Sequence, residues 1–236
     1  SVTGLIDAGA HCVLRVAPQG QPDADAERLI PFVSAYVDSV SLAERRIVSL
    51  FQPIHDLVED RVTGIEALSR GPYGSGLEDA ERLFSLAEKA GLVIPLERLC
   101  RQRSLEEAAK AEWGRLIFIN MSPAAAQDVD FLDGRLAREV LDRYLDPRQI
   151  VIEVTERTYA ENQVLFSSVL GELRKEGFRV AVDDLGSGYS NLSALADIRP
   201  EFLKFDHLFT KDIHRNRIKQ DLLGAILSFA MKMDTQ

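Results

Sequence analysis

Glu66, Asn120, Glu153, Asp183, Asp184 and Lys204 lie far apart in the chain, yet each stands at or near the end of a short apolar run. The most telling run is 179–190, Arg-Val-Ala-Val-Asp-Asp-Leu-Gly-Ser-Gly-Tyr-Ser. Valines alternating with small residues read as a buried strand that stops on Asp183 and Asp184. Gly186 and Gly188 then open a loop that needs unusual backbone angles. Adjacent carboxylates repel unless a cation, a hydrogen-bond donor or a shared proton compensates. Alone, the pair would read as a turn cap beside a solvated acid.

The other strand ends remove that reading. The run 63–68 ends around Glu66 and Arg70, 116–120 ends on Asn120, 150–154 contains Glu153, and 202–205 carries Lys204 with Asp206 just beyond. In a (β/α) barrel all such ends converge on one face, where the active site is built. An all-oxygen set of Glu66, Asn120, Glu153, Asp183 and Asp184 suits Mg²⁺ or Mn²⁺ rather than zinc or copper. That many carboxylates accommodates two adjacent ions, an arrangement that activates water and stabilises in-line displacement at phosphorus. Arg70 and Lys204 supply the positive charge that phosphate oxygens require. A phosphodiester is therefore the expected substrate class. Glycoside hydrolysis, the rival chemistry for paired carboxylates, leaves Asn120, Lys204 and Arg70 without a task.

The elements that must position these groups alternate. Runs 48–54 and 63–68 are strand-like and joined by a polar segment of hairpin length, 56–61. Helical patterns cover 77–90, 94–110, 136–144, 162–176 and 218–231, with a shorter one near 191–197, and strands at 116–120, 150–154, 179–183 and 202–205 fall between them. This alternation predicts parallel strands covered by helices. Tyr144, Phe166 and Phe178 are expected in the core, and His55, His207 and His214 lack ligand spacing and are expected to be structural or exposed. Upstream, residues 1–24 read as an irregular extension. A stripe of Ala26, Ile30, Val33, Val37 and Val40 reads as a helix, interrupted by Pro31, that covers the following domain. The predicted division is an N-terminal extension and linker helix over 1–45 and a barrel domain over 46–236.

Composition narrows the partners. The 236 residues carry 37 acidic against 28 basic side chains, a net charge of −9, which argues against coating duplex nucleic acid. Two cysteines without a CxxC pattern suggest neither a disulfide framework nor structural zinc and fit a reducing, cytoplasmic setting. No signal-peptide pattern opens the chain, and the apolar run 222–231 is too short to span a bilayer, so no direct membrane contact is expected.

The ordered motifs also carry a resemblance. Phe51-Gln52-Pro53-Ile54, Glu66-Ala67-Leu68-Ser69-Arg70, Asn120-Met121-Ser122, Glu153-Val154-Thr155-Glu156, Asp183-Asp184-Leu185-Gly186-Ser187-Gly188-Tyr189-Ser190 and Lys204-Phe205-Asp206 make the chain resemble the EAL domain of cyclic di-GMP phosphodiesterases. The resemblance implies a TIM-type (β/α) barrel that hydrolyses cyclic di-GMP to linear pGpG with Mg²⁺ or Mn²⁺. It implies Glu66, Asn120, Glu153 and Asp183 as primary metal ligands, Asp184 beside a second ion, and Lys204 near the catalytic water. Gln52 and Arg70 look like guanine and phosphate contacts, and Asp206 is grouped with them at the substrate. Glu156 is similar to the family's glutamate that steadies the loop 185–191, a loop that links catalysis to dimerisation. The partners implied are cyclic di-GMP, a second copy of the chain and an upstream sensory domain in a larger signalling protein.

One departure stands out. Eight strands with their helices take about 250 residues, and only six strands are visible from Ile47 onward. The family's later strands, with a further glutamate and a glutamine, have no counterpart in the sequence given. The expectation is a barrel lacking its last strands in this chain. The runner-up function, a cyclic di-GMP receptor without catalysis, draws its support from that feature.

Overall fold

The computed structural model describes residues 47–111, 114–131, 133–155, 159, 163–186, 192–233 and 235. The stripe at 26–40, the 45/46 boundary, Glu156 and most of the loop 185–191 lie outside them. Six strands form one sheet in sequence order: β1 Val48–Asp56, β2 Arg61–Arg70, β3 Leu116–Asn120, β4 Ile150–Thr155, β5 Arg179–Leu185 and β6 Phe202–Phe205. β1 and β2 form an antiparallel hairpin, and every later pairing is parallel. The hairpin turn is shaped by Asp56, whose buried carboxylate accepts from the backbone N–H groups of Val58 at 2.9 Å and Glu59 at 3.1 Å.

The helices are α1 Ala80–Lys89, α2 Val93–Lys110, α3 Arg135–Leu141, α4 Gln163–Lys175, α5 Leu192–Ile198, the single turn α6 His207–Thr210 and α7 Arg217–Lys232. α1 begins later than its apolar pattern predicts because Asp79 caps it, accepting from Arg82 N at 2.9 Å. α3 stops at Leu141, and Tyr144, expected in the core, is instead almost fully exposed. It sits in a left-handed turn (φ 58°) that carries the ring off the apolar face of the helix. Phe166 and Phe178 are buried as expected.

Alternation along the strands splits the core into two shells. Ile65, Ile117, Ile119, Ile152, Val180 and Val182 point outward and pack with helix residues such as Leu105, Phe166, Val169 and Leu195. Ile54, Phe118, Val151 and Ala181 point inward and form a separate cluster joined by Phe202. A flat sheet would set β2 and β6 about 19 Å apart, four spacings of about 4.8 Å. Lys204 on β6 nevertheless lies within 3.2 Å of Glu66 on β2, and the Phe118 and Phe202 rings meet edge to face at 5.3 Å. The sheet is therefore curled into part of a TIM-type barrel.

The register climbs around this arc. Glu66 pairs with Phe118, two residues before Asn120; Asn120 pairs with Glu153; Glu153 pairs with Ala181, two residues before Asp183. That stagger is what strand tilt in a closed barrel demands, and it brings side chains from different strand positions to one height. Phe118→Ala, which empties the inner shell where β3 meets β6, is expected to cost about 3 to 5 kcal/mol in a denaturant unfolding titration.

Candidate active site

Glu66, Glu153, Asp183 and Lys204 all point into the arc and are all buried. One oxygen from each of the three acids lies within 4.8 Å of the others. The Lys204 ammonium reaches all three: Glu66 Oε2 at 3.2 Å, Asp183 Oδ2 at 3.0 Å, and Glu153 Oε1 in a still shorter contact. Three carboxylates against one ammonium leave a formal charge of −2. Glu153 Oε2 is buried with no hydrogen-bond donor among the described residues. Burial, and then the neighbouring Glu66 and Asp183 charges, push the Glu153 carboxyl up to about 8 against the pull of Lys204. The same acids raise the Lys204 ammonium above its ordinary value despite its burial. All-oxygen donors, an unmatched negative charge and a buried oxygen without a donor fit a hard divalent cation.

The two aspartates owe their placement to a bulge. Val182 pairs with Leu203 and Leu185 with Phe205, so Asp183 and Asp184 together face Lys204. Asp183 keeps the inward position and accepts from Asp184 N at 2.8 Å through its second oxygen. Asp184 is the extra residue and adopts the left-handed region (φ 60°), a strained conformation for a residue with a Cβ. The chain returns to register because Leu185 is buried in the outer shell and its carbonyl accepts from Asp206 N at 3.0 Å. Gly186 follows at φ 94°, where a Cβ would meet the Phe209 ring at 2.8 Å, so only glycine lets the chain leave the bulge over that ring.

The remaining residues surround this centre. Asn120, register partner of Glu153, is exposed at the end of β3 and lines a cavity of about 630 Å³ with Arg70, Asp183 and Asp184. Arg70 there donates to Ser69 O at 2.8 Å. Gln52 pairs with Glu66 across the hairpin and lines a second cavity of about 250 Å³ with Lys204, Asp206 and His207. Asp206 also caps α6, accepting from Leu208 N at 2.6 Å. The expectation that β5 stops on the aspartates and β2 near Glu66 needs correcting: Glu66 lies four residues before the end of β2, Asp183 two before the end of β5, like Glu153 in β4, and the stagger, not the strand end, brings the three level.

Of three further side chains at these cavities, His207 was expected to be structural or exposed, and Glu97 and Arg101 carried no reading. His207 lines the smaller one. Glu97 and Arg101, both buried, line the larger, with Glu97 accepting from Ser122 N at 2.9 Å and its carboxyl pushed up mainly by burial. Their signal was charge within the buried stripe of α2, at positions shared with Leu96, Cys100, Ser104 and Leu105.

A family model described as the EAL domain matches residues 38–236. The chain belongs to the EAL domain family. It is 31% identical over 194 residues, 79% of this EAL chain, to a probable cyclic di-GMP phosphodiesterase, PdeG of Escherichia coli. It is 32% identical over 178 residues, 74% of the chain, to the cyclic di-GMP phosphodiesterase PdeR of the same organism. The chain spans 38% of the length of the first and 27% of the second. Among solved structures, Klebsiella pneumoniae BlrP1 in a complex with manganese and cyclic di-GMP superposes with a TM-score of 0.75 at 26% identity, covering 83% of this chain and 49% of that one. The Xanthomonas citri FimX EAL domain shares the fold, with a TM-score of 0.77 at 18% identity, covering 90% and 84%. No helix among the described residues is long and apolar enough to cross a membrane.

The buried charges of the EAL chain set two expectations. Lys204→Met, which removes the one ammonium in contact with three carboxylates, should cost about 3 to 5 kcal/mol in metal-free protein, read by unfolding in a chelator. Glu153 takes up its proton more readily folded than unfolded, so its contribution is fully present below about 4.5 and lost as pH rises to about 8. In metal-free protein Glu153→Gln should therefore raise Tm more at pH 8 than at pH 5. An equal shift at both would contradict the raised pKa.

Proposed function

We propose that the chain is a metal-dependent cyclic di-GMP phosphodiesterase that opens the cyclic dinucleotide to linear pGpG. The observation that carries this is the convergence of Glu66, Glu153 and Asp183 on one buried place beside two cavities. The names of the relatives and the manganese and cyclic di-GMP in the BlrP1 complex point the same way. Hydrolysis adds water across one phosphodiester: the P–O3′ bond breaks, the phosphate keeps its 5′ ester, and the 3′ oxygen leaves as a hydroxyl.

Glu66, Asn120, Glu153 and Asp183 would hold one Mg²⁺ or Mn²⁺ ion, and Asp184, with the shared Asp183, would lie beside a second. Such ions supply charge stabilisation at phosphorus and lower the pKa of bound water. The chain's own groups do the rest. Lys204 holds three carboxylates in place through its ammonium and keeps positive charge next to the reacting phosphate. Arg70, in the wall of the larger cavity, offers guanidinium N–H groups to a phosphate oxygen, while Gln52 and Asp206 on the smaller one present an amide and a carboxylate to a guanine edge. Glu156 steadies the loop that follows Asp184. The same reading assigns residues 46–236 to the catalytic domain, places the site in the cytoplasm within a larger signalling protein, and has the loop 185–191 couple it to pairing with a second copy.

Incubation with cyclic di-GMP and Mn²⁺ or Mg²⁺ should release pGpG, and Glu66→Ala or Asp183→Ala should each lower the rate about a hundredfold or more. Binding of cyclic di-GMP without release of pGpG would overturn the catalytic assignment in favour of a receptor.

A further inference from the structure

The opposite end of the same strands carries the opposite charge. Arg61 is the first residue of β2, Arg115 immediately precedes β3, Arg148 lies in the turn Pro147–Gln149 that leads into β4, and Arg179 is the first residue of β5. Four successive parallel strands thus begin on or beside an arginine. All four line one open depression of about 430 Å³, lined also by Thr63 and Gln149, with Asp146 as the only carboxylate among the described lining residues. In a chain of net charge −9, four guanidinium groups gather here against two acids among the described residues, Asp146 in the lining and Glu59 paired with Arg61.

The local acids engage two of them and leave two. Asp146 is taken by Arg148, whose Nε lies 3.0 Å from both carboxylate oxygens and whose Nη2 donates to Oδ2 at 2.6 Å. That pairing holds the Asp146 carboxyl at about 2, so it stays ionised and engaged at any working pH. Arg61 pairs with Glu59 through its Nε. Arg115 donates to the carbonyl of Val62, and among the described residues neither Arg115 nor Arg179 pairs with a carboxylate within ion-pair distance. Each guanidinium has five N–H donors in a planar fork, so most of the donors around the depression have no hydrogen-bond partner among the described residues, and the like charges of Arg115 and Arg179 are met by no ion-paired carboxylate there. An oxyanion that several forks grip at once relieves both.

We propose that this arginine-lined depression, at the end of the barrel away from the carboxylates, binds the polyphosphate group of a small soluble ligand such as a nucleotide. Planar forks match phosphate oxygens two at a time, and Thr63 and Gln149 add neutral donors. The overall negative charge of the chain disfavours an extended polyanion, which would have to cross acidic surface on either side.

The test titrates the full chain, stripped of metal, with pyrophosphate by calorimetry at low ionic strength. Without metal the carboxylate cluster repels anions and does not compete. Saturable one-to-one binding is expected, about tenfold or more tighter for pyrophosphate than for orthophosphate. The double variant Arg115→Gln/Arg179→Gln should weaken it at least about tenfold, for loss of several charge-assisted hydrogen bonds. The exposed pair Arg61→Gln/Arg148→Gln should weaken it likewise, and Arg103→Gln, which pairs with Glu107 on α2 outside the depression, should not. No saturable heat, equal affinity in both double variants and wild type, or tighter binding of an acidic hexapeptide than of pyrophosphate would each overturn the assignment.

Discussion

Three carboxylates buried around a single ammonium cannot be balanced by the side chains that surround them, and the architecture is arranged so that this imbalance exists at one place. Separately, Glu66, Glu153 and Asp183 are unremarkable acids on three strands. Curling the sheet brings β2 opposite β6, the register climb sets the acids at one height, and the bulge at Asp183 and Asp184 adds a second aspartate at the rim. The inner apolar shell of Ile54, Phe118, Val151 and Ala181 beneath them removes water, so the repulsion among the acids is felt at low dielectric. Lys204 offsets part of it. The remainder is the charge that the proposed divalent cation would neutralise.

Much of this was legible in the sequence because period-two alternation and glycine-marked loops are local signals. The six strands, the hairpin and the main helices fall where the apolar pattern sets them, with ends shifted by capping at Asp79 and by the early stop of α3. The residue types at Glu66, Glu153, Asp183 and Lys204 announced an oxygen-ligand site. Their heights did not follow from the pattern, because register belongs to pairs of strands and not to either strand. The bulge was invisible for the same reason: it is defined by what Lys204 faces. Tyr144 failed because an aromatic residue after a helix carries no mark of the left-handed turn that exposes it. Glu97 and Arg101 were passed over because a charge inside an apolar stripe reads as surface until the helix is packed.

The barrel also separates two electrostatic ends. Strands β2 and β5 each run from an arginine, Arg61 or Arg179, to an acid, Glu66 or Asp183, within a few residues. The acids suit the proposed divalent cation at one end and the arginines the proposed polyphosphate at the other.

A divalent-cation site at the buried carboxylates can be tested directly. Titrating metal-free protein with Mn²⁺ and following free ion by electron paramagnetic resonance tests it without substrate. Saturable binding that is lost in Glu153→Gln, with folding intact by circular dichroism, is the predicted result. Binding of equal strength in wild type and Glu153→Gln, or none in either, would contradict it.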